Sequence, residues 1–267
     1  MIGCDVAFRI RPRLQKKAHM VFLIGFLIAM AVGLTGVGAG SVTAPVLILF
    51  FGLAPATSVG TALTFAAAIK LAVAPLYLAR KQVDKRILLL LCLGGIPGVL
   101  GGALLIGELD VRRYENAIFL LVGATIATMA IYNLYRSLWQ KAKRSGRERP
   151  GWLPFIAAGI GAEVGFSSAG AGALGSLALL SLTALTPAQV VGTDMLFGLA
   201  LSVIGGGFHL SAGHYESAIL WKLIAGGLAG AFVGAHLSST LPARPMRVAL
   251  SMWLSYLGMQ LCWKALF

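Results

Sequence analysis

Nine long apolar runs occupy most of the chain, near 20–35, 41–54, 56–79, 87–107, 114–135, 152–184, 187–212, 218–241 and 246–266. Most approach the ~20 residues that a helix needs to cross hydrocarbon. A soluble domain of 267 residues could not conceal them, because 58% of the residues are hydrophobic and only 12% are charged. The runs lack the alternation of a membrane β-barrel. The fold class is therefore an all-α integral membrane protein, and the lipid bilayer is its first partner. Arg9, Arg11, Arg13, Lys16 and Lys17 precede the first run. No small-residue cleavage site leading into a polar mature region follows it, so it reads as a retained span.

The formal net charge of +13 does not point to nucleic acid, because the basic residues sit in short loops between apolar runs and not on one amphipathic face. They set topology instead. The rich segments are 9–17, Arg80 to Arg86 and Arg136 to Arg149, and the poor ones are 51–56 and 184–187. Placing every rich segment inside predicts about eight transmembrane helices in a bacterial-type cytoplasmic (inner) membrane, with both termini cytoplasmic. That arrangement requires 20–54 and 152–184 each to cross once, as broken spans. Cys4, Cys92 and Cys262 fall in the tail or in spans and imply no disulfide framework.

Sliding the sequence along itself aligns Gly33–Ala103 with Gly165–Ala235 without a gap, at an offset of 165 − 33 = 132, with 22 of 71 positions identical. Composition alone would give roughly a tenth. Pro55-Ala56 matches Pro187-Ala188, Val59-Gly60-Thr61 matches Val191-Gly192-Thr193, and Gly94, Gly95, Gly98 and Gly102 match Gly226, Gly227, Gly230 and Gly234. The organisation is a basic tail (1–19), a first four-helix repeat (20–138), a basic linker (139–151) and a second four-helix repeat (152–267). In each repeat glycines break the first helix. Units of four crossings are parallel. They are inverted only if the broken spans are re-entrant hairpins, and the charge pattern favours parallel units.

The breaks are where a ligand would bind. Gly33, Gly36, Gly38 and Gly40 interrupt the first run, and Gly165, Ser167, Ser168, Gly170 and Gly172 interrupt its partner. Glycine permits an unwound turn, and the half-helix that restarts beyond it aims free N–H groups and its positive end inward, a cradle for an anion. The competing reading is close helix packing. Packing is the better account of Gly94, Gly98 and Gly102 and of Gly226, Gly230 and Gly234, whose i, i+4, i+8 spacing lines one helix face.

Few ionisable residues lie deep in the spans. Lys70 is ten residues before Arg80, about 15 Å in; Glu163 is about as deep, and Asp194 is about 10 Å in from Pro187. Charges at such depth mark function by default. The alternative is a structural ion pair of Lys70 with Asp194 or Glu163. The 132-residue offset pairs Asp194 with Ala62 and Lys70 with Ser202. Ser41, Thr61, Ser168 and Thr193 add hydroxyl donors, although threonine in a membrane helix also bonds back to its own carbonyls. The substrate-binding set is then Gly36, Gly38, Gly40, Ser41, Thr61, Lys70, Ser168, Gly170, Gly172, Thr193 and Asp194. Asp194, Glu163 and His209 are candidates for proton coupling, with His209 also readable as an interfacial residue. No His-Glu-x-x-His or Gly-x-Ser-x-Gly pattern occurs, so neither an enzyme nor a metal or cofactor is expected. The partners are a small anion and the bilayer, with room for a homodimer.

These motifs together resemble the TauE/SafE family of sulfite exporters. Gly36-Val-Gly-Ala-Gly40 is similar to its glycine box, Ser58-Val-Gly-Thr61 and Val190-Val-Gly-Thr193 to its Val-Gly-Thr element, Val83-Asp84 to its acidic pair, and Gly94-Gly-Ile-Pro-Gly98 to its glycine-rich third helix. Ala62 after Gly-Thr and Ser168 in the second box depart from the family pattern. The resemblance implies duplicated spans and the transport, chiefly export, of sulfite, sulfonates or related anions. A coupled importer of an organic anion and a non-transporting accessory protein are the alternatives.

Overall fold

The computed structural model describes residues 19–31, 39–108, 111–139, 149–169, 172, 174–237 and 243–266. The basic tail, the first box glycines Gly33, Gly36 and Gly38, Gly170 and most of the linker lie outside the described residues. Regular structure among the described residues is entirely helical. In the first unit α1 is His19–Ala31, α2 Ala39–Phe51, α3 Pro55–Ala79, α4 Lys85–Glu108 and α5 Val111–Trp139. In the second, after a short 3-10 turn at Pro150–Trp152, α6 is Leu153–Ser167, α7 Leu174–Leu182, α8 Pro187–Ser211, α9 Ser217–Leu237 and α10 Ala243–Leu266. Proline opens both α3 and α8, where its fixed φ suits a first turn and its missing N–H costs nothing. Thr186 and Gln189 add a capping box to α8.

Among the described residues four helices are long and apolar enough to cross a membrane: Pro55–Ala79, Lys85–Gly107, Pro187–Ser211 and Ser217–Gly234. Phe232, Phe155, Trp221 and Leu93 are each more than two-thirds exposed. In water that periphery would drive aggregation; against acyl chains it is the expected lipid face.

Contacts between helices fix their directions. Lys70 meets Ser202, and Thr64 lies against Gly206, while Gly60 lies against His209, so α3 and α8 run antiparallel. Gly94, Gly98 and Gly102 of α4 face Pro154, Ala158 and Ala162 of α6, so those two are parallel. The same pattern 132 residues on sets Gly226, Gly230 and Gly234 of α9 against Phe22, Phe26 and Met30 of α1. In all six places a Cβ would strike a backbone carbonyl, so these glycines serve close packing between units.

Equivalent helices that run antiparallel make the two units inverted, which corrects the parallel arrangement that the loop charges favour. The reason lies in the broken segments. Leu201 of α8 and Phe197 lie against Gly95, and Val99 lies against Gly205, so α4 and α8 are parallel, and α6, parallel to α4, points the same way as α8. Only α7 lies between α6 and α8 in the chain, and it must return; Ser176 near its start meets Asp194, while its end leads directly into Thr186 and α8. By the same repeat α2 returns between α1 and α3. Each broken segment is a hairpin that enters and leaves at one end of the bundle, and does not cross once. Since α4 and α6 are parallel, α5 must carry the chain back between them. The end of α5 therefore lies at the opposite end of the bundle from the start of α1 and the end of α10, which does not fit an arrangement with all three on the cytoplasmic side.

Candidate functional site

The equivalent helices α3 and α8 carry paired fastenings at their two ends. Thr61 Oγ1 accepts a hydrogen bond from the Glu216 N–H at 3.1 Å, and Thr193 Oγ1 accepts from the Asp84 N–H at 3.0 Å. Thr61 and Thr193 are related by the offset of 132, as are Asp84 and Glu216. Asp84 also caps α4, its Oδ1 accepting from the Ile87 N–H at 2.9 Å. Gly60 and Gly192 admit the carbonyls of His214 and Gln82 beside these bonds. Each threonine thus holds a turn of the other unit. The offset applied to Asp84 and Glu216 pairs these positions from sequence, but nothing in the sequence places a turn of one unit over a helix of the other.

Between the fastenings, Lys70 Nζ reaches Ser202 Oγ at 3.4 Å, and Ser202 Oγ donates to the Gly198 carbonyl at 2.7 Å. Lys70 and Ser202 are equivalent positions, and a contact between equivalents lies on or beside the pseudo-twofold axis. Lys70, the only buried lysine or arginine among the described residues, therefore sits near the centre of symmetry, 6% exposed. Asp194 is near enough to interact with it electrostatically, without a salt bridge between them. The Asp194 carboxylate instead accepts from Ser176 Oγ at 2.6 Å, in the first turn of α7.

The hairpin tips meet in the interior. Ser168, closing α6, has the left-handed φ of 61°, and Gly172 has φ 104°, so the chain turns sharply between α6 and α7. The Ser168 side chain lies against Gly40 at the start of α2, so closely that a Cβ on Gly40 would collide with Ser168 Oγ. Gly40, Ser41, Ser168 and Asp194 are buried. The structure thus sets Gly40 against Ser168, Lys70 against Ser202, and Asp194 against Gly175 and Ser176. It sets Thr61 and Thr193 apart, at the fastenings.

His209 is not interfacial. Fully buried, it packs by Gly60, with Nε2 3.4 Å from the Gly165 carbonyl, its ring centroid 5.8 Å from that of His214, and Nδ1 without a hydrogen-bond partner. It stands at the Thr61 end of α8, fifteen residues and roughly 22 Å of helix from Asp194. Glu163 in α6 is half-buried, with Oε1 unpartnered, and does not pair with Lys70.

The family model described as sulfite exporter TauE/SafE matches residues 21–261. The chain belongs to the TauE/SafE family. It is 26% identical over 253 residues to a probable membrane transporter protein of Bacillus subtilis, YjnA, covering 90% of this chain and 98% of that protein. It is 25% identical to a second from the same organism, YdhB, covering 86% and 94%, and 28% identical to a probable membrane transporter protein of Haemophilus influenzae, covering 87% and 90%. No solved structure matches the chain. A TauE/SafE chain matched from end to end by such relatives is a multi-pass membrane transporter.

Proposed function

We propose that this transporter exports a small sulfur-containing oxyanion, sulfite or an organosulfonate, and that the anion binds where the two hairpin tips meet. One observation carries this reading: the start of α2 packs on Ser168 of the other hairpin, and a buried cation, Lys70, meets its own equivalent, Ser202, beside the pseudo-twofold axis. A desolvated anion needs fixed N–H donors and positive potential, and helix starts next to an ammonium supply both. Gly36, Gly38, Ser41 and Gly170 join the proposed site through their places in the two boxes, and Gly172 through its turn beside Asp194. Asp194 and Glu163 stand nearby as groups able to carry a proton. Export needs no coupling, because an anion leaving an inside-negative cell gains about 2.3 kcal/mol per charge per 100 mV.

Six helices cross in this reading, α3, α4, α5, α8, α9 and α10, and two hairpins dip in from opposite faces. The positive-inside rule assigns the end that carries Arg80, Lys81, Lys85, Arg86 and the linker to the cytoplasm. The deciding experiment is flux in proteoliposomes. Sulfite should leave loaded vesicles faster when the interior is made negative, and the rate should not change when a proton gradient is collapsed. Flux that requires the proton gradient would replace the exporter by a coupled importer, and no flux of sulfite or methanesulfonate in either direction would sink the proposal.

A further inference from the structure

The two hairpin tips are related by the 132-residue repeat and unlike in chemistry. At α7 a carboxylate already fills the first turn: Asp194 Oδ2 accepts from Ser176 Oγ, and Oδ1 occupies the space that a Cβ on Gly175 would need. Oδ1 itself has no hydrogen-bond partner and lies against the first turn of α7. An anion in this place answers the free N–H groups and positive end of the helix. At α2 the residue equivalent to Asp194 is Ala62, and the residue equivalent to Gly175 is Thr43, whose hydroxyl donates to the Ala39 carbonyl at 2.8 Å. A second, independent feature singles out the α2 tip. Ser168 is 5% exposed, its Oγ has no hydrogen-bond partner, and it is aimed at Gly40 in the first turn. A buried hydroxyl left without a partner costs free energy unless a ligand satisfies it.

We propose that the duplicated protein holds one exogenous anion per chain, at the first turn of α2 with Ser168 Oγ as a donor, and that Asp194 is a tethered anion filling the equivalent place at α7. This rests on the transport reading above and makes it asymmetric. The ligand is a compact oxyanion, small enough to take the room of one carboxylate. Lys70, near the axis, stands between the resident carboxylate and the incoming one, so a single cation serves both tips. Ser168, where the glycine box has glycine in the first unit, is a binding residue and not a defect in the second box.

The test is equilibrium binding of radiolabelled sulfite to the full-length protein in nanodiscs, with methanesulfonate as competitor. The wild type should bind one sulfite per chain. Ser168→Ala should keep that stoichiometry with at least tenfold weaker affinity, Ala62→Asp should lose binding by filling the α2 tip, and Asp194→Ala should raise the stoichiometry towards two. Should Ala62→Asp fail to elute as a monodisperse species, Ser168→Ala still decides, because it removes one oxygen from a side chain without a partner. Unchanged affinity in Ser168→Ala, or wild-type binding in a folded Ala62→Asp protein, would overturn the assignment to α2. A folded Asp194→Ala protein that still binds a single sulfite would overturn the tethered-anion half. A wild type that binds neither anion would take the transport reading down with it.

Discussion

The ends and the middle of the α3–α8 pair have diverged to different degrees. At the ends symmetry is nearly intact: Thr61 holds the turn at Glu216, Thr193 holds the turn at Asp84, and Gly60 and Gly192 make room beside them. Symmetry fails instead at the charged positions: Lys70, in the middle, is matched by Ser202, and Asp194, one residue beyond Thr193, by Ala62. Close to the middle Phe65 and Phe197 remain identical and fully buried, each packed on a glycine of the other unit, Gly227 or Gly95. Positions that transmit packing kept both copies, whereas the buried charged positions did not. A twofold site would bind two anions or one on the axis; replacing one half of each charged pair makes an asymmetric site from a symmetric frame.

The largest effect should come from the glycine ridges. In Gly98→Leu and Gly230→Leu the new side chain strikes the Ala158 or Phe26 carbonyl, and helix backbone cannot move aside as a side chain can. Overpacking by one or two methylenes costs ~1–3 kcal/mol, and a whole leucine side chain driven into backbone at a helix crossing should exceed the ~3–5 kcal/mol of a broken buried charge pair. Thermal stability in detergent should fall for both variants by the same amount within ~0.5 kcal/mol. Strongly unequal losses would break the claim that the frame is symmetric.

Next in size is Lys70. If Lys70 and Asp194 are only a structural pair, Lys70→Ala leaves a buried carboxylate uncompensated, a loss of ~3–5 kcal/mol, and adding Asp194→Ala restores both stability and flux. If Lys70 serves the anion, the double variant folds and still transports nothing. Ser202→Ala, which removes the weaker partner of the 3.4 Å contact, should cost ~1 kcal/mol. A Ser202→Ala defect as large as that of Lys70→Ala would argue that the contact, and not the charge, is what matters at the axis.

Much of this was legible in the sequence, and the part that was not has a common cause. Apolar runs set the class, and the 132-residue offset predicted the duplicated frame. The i, i+4, i+8 glycines identified the packing faces, because one residue per helical turn leaves no other geometry. Lys70 and Asp194 stood out because burial of charge is expensive wherever it occurs. Orientation was lost because the positive-inside rule weighs loops, while a hairpin of two half-length helices has the same hydropathy as a broken span. The bonds of Thr61 and Thr193 were not legible for a related reason: depth along a helix is a property of one segment, but their partners are turns of the other unit. His209 looked interfacial from its distance to the helix end and is buried because α3, α6 and the turn at His214 close over it.

The smallest predicted effect separates the two ends from each other. Thr61→Val and Thr193→Val keep the volume of the side chain and remove the oxygen that accepts from Glu216 or Asp84. Each leaves one partly buried N–H to find water, at about 1 kcal/mol. The bonds lie at opposite ends of the bundle, so in a membrane each fastens one face. A single cysteine placed in the turn by Gln82→Cys should therefore label faster in Thr193→Val and not in Thr61→Val. His214→Cys should respond in the reverse sense, with the impermeant reagent added from the other side. If either threonine variant accelerates labelling at both turns, the fastenings open together, the two ends are mechanically coupled through α3 and α8, and the division into independent ends and a shared middle fails.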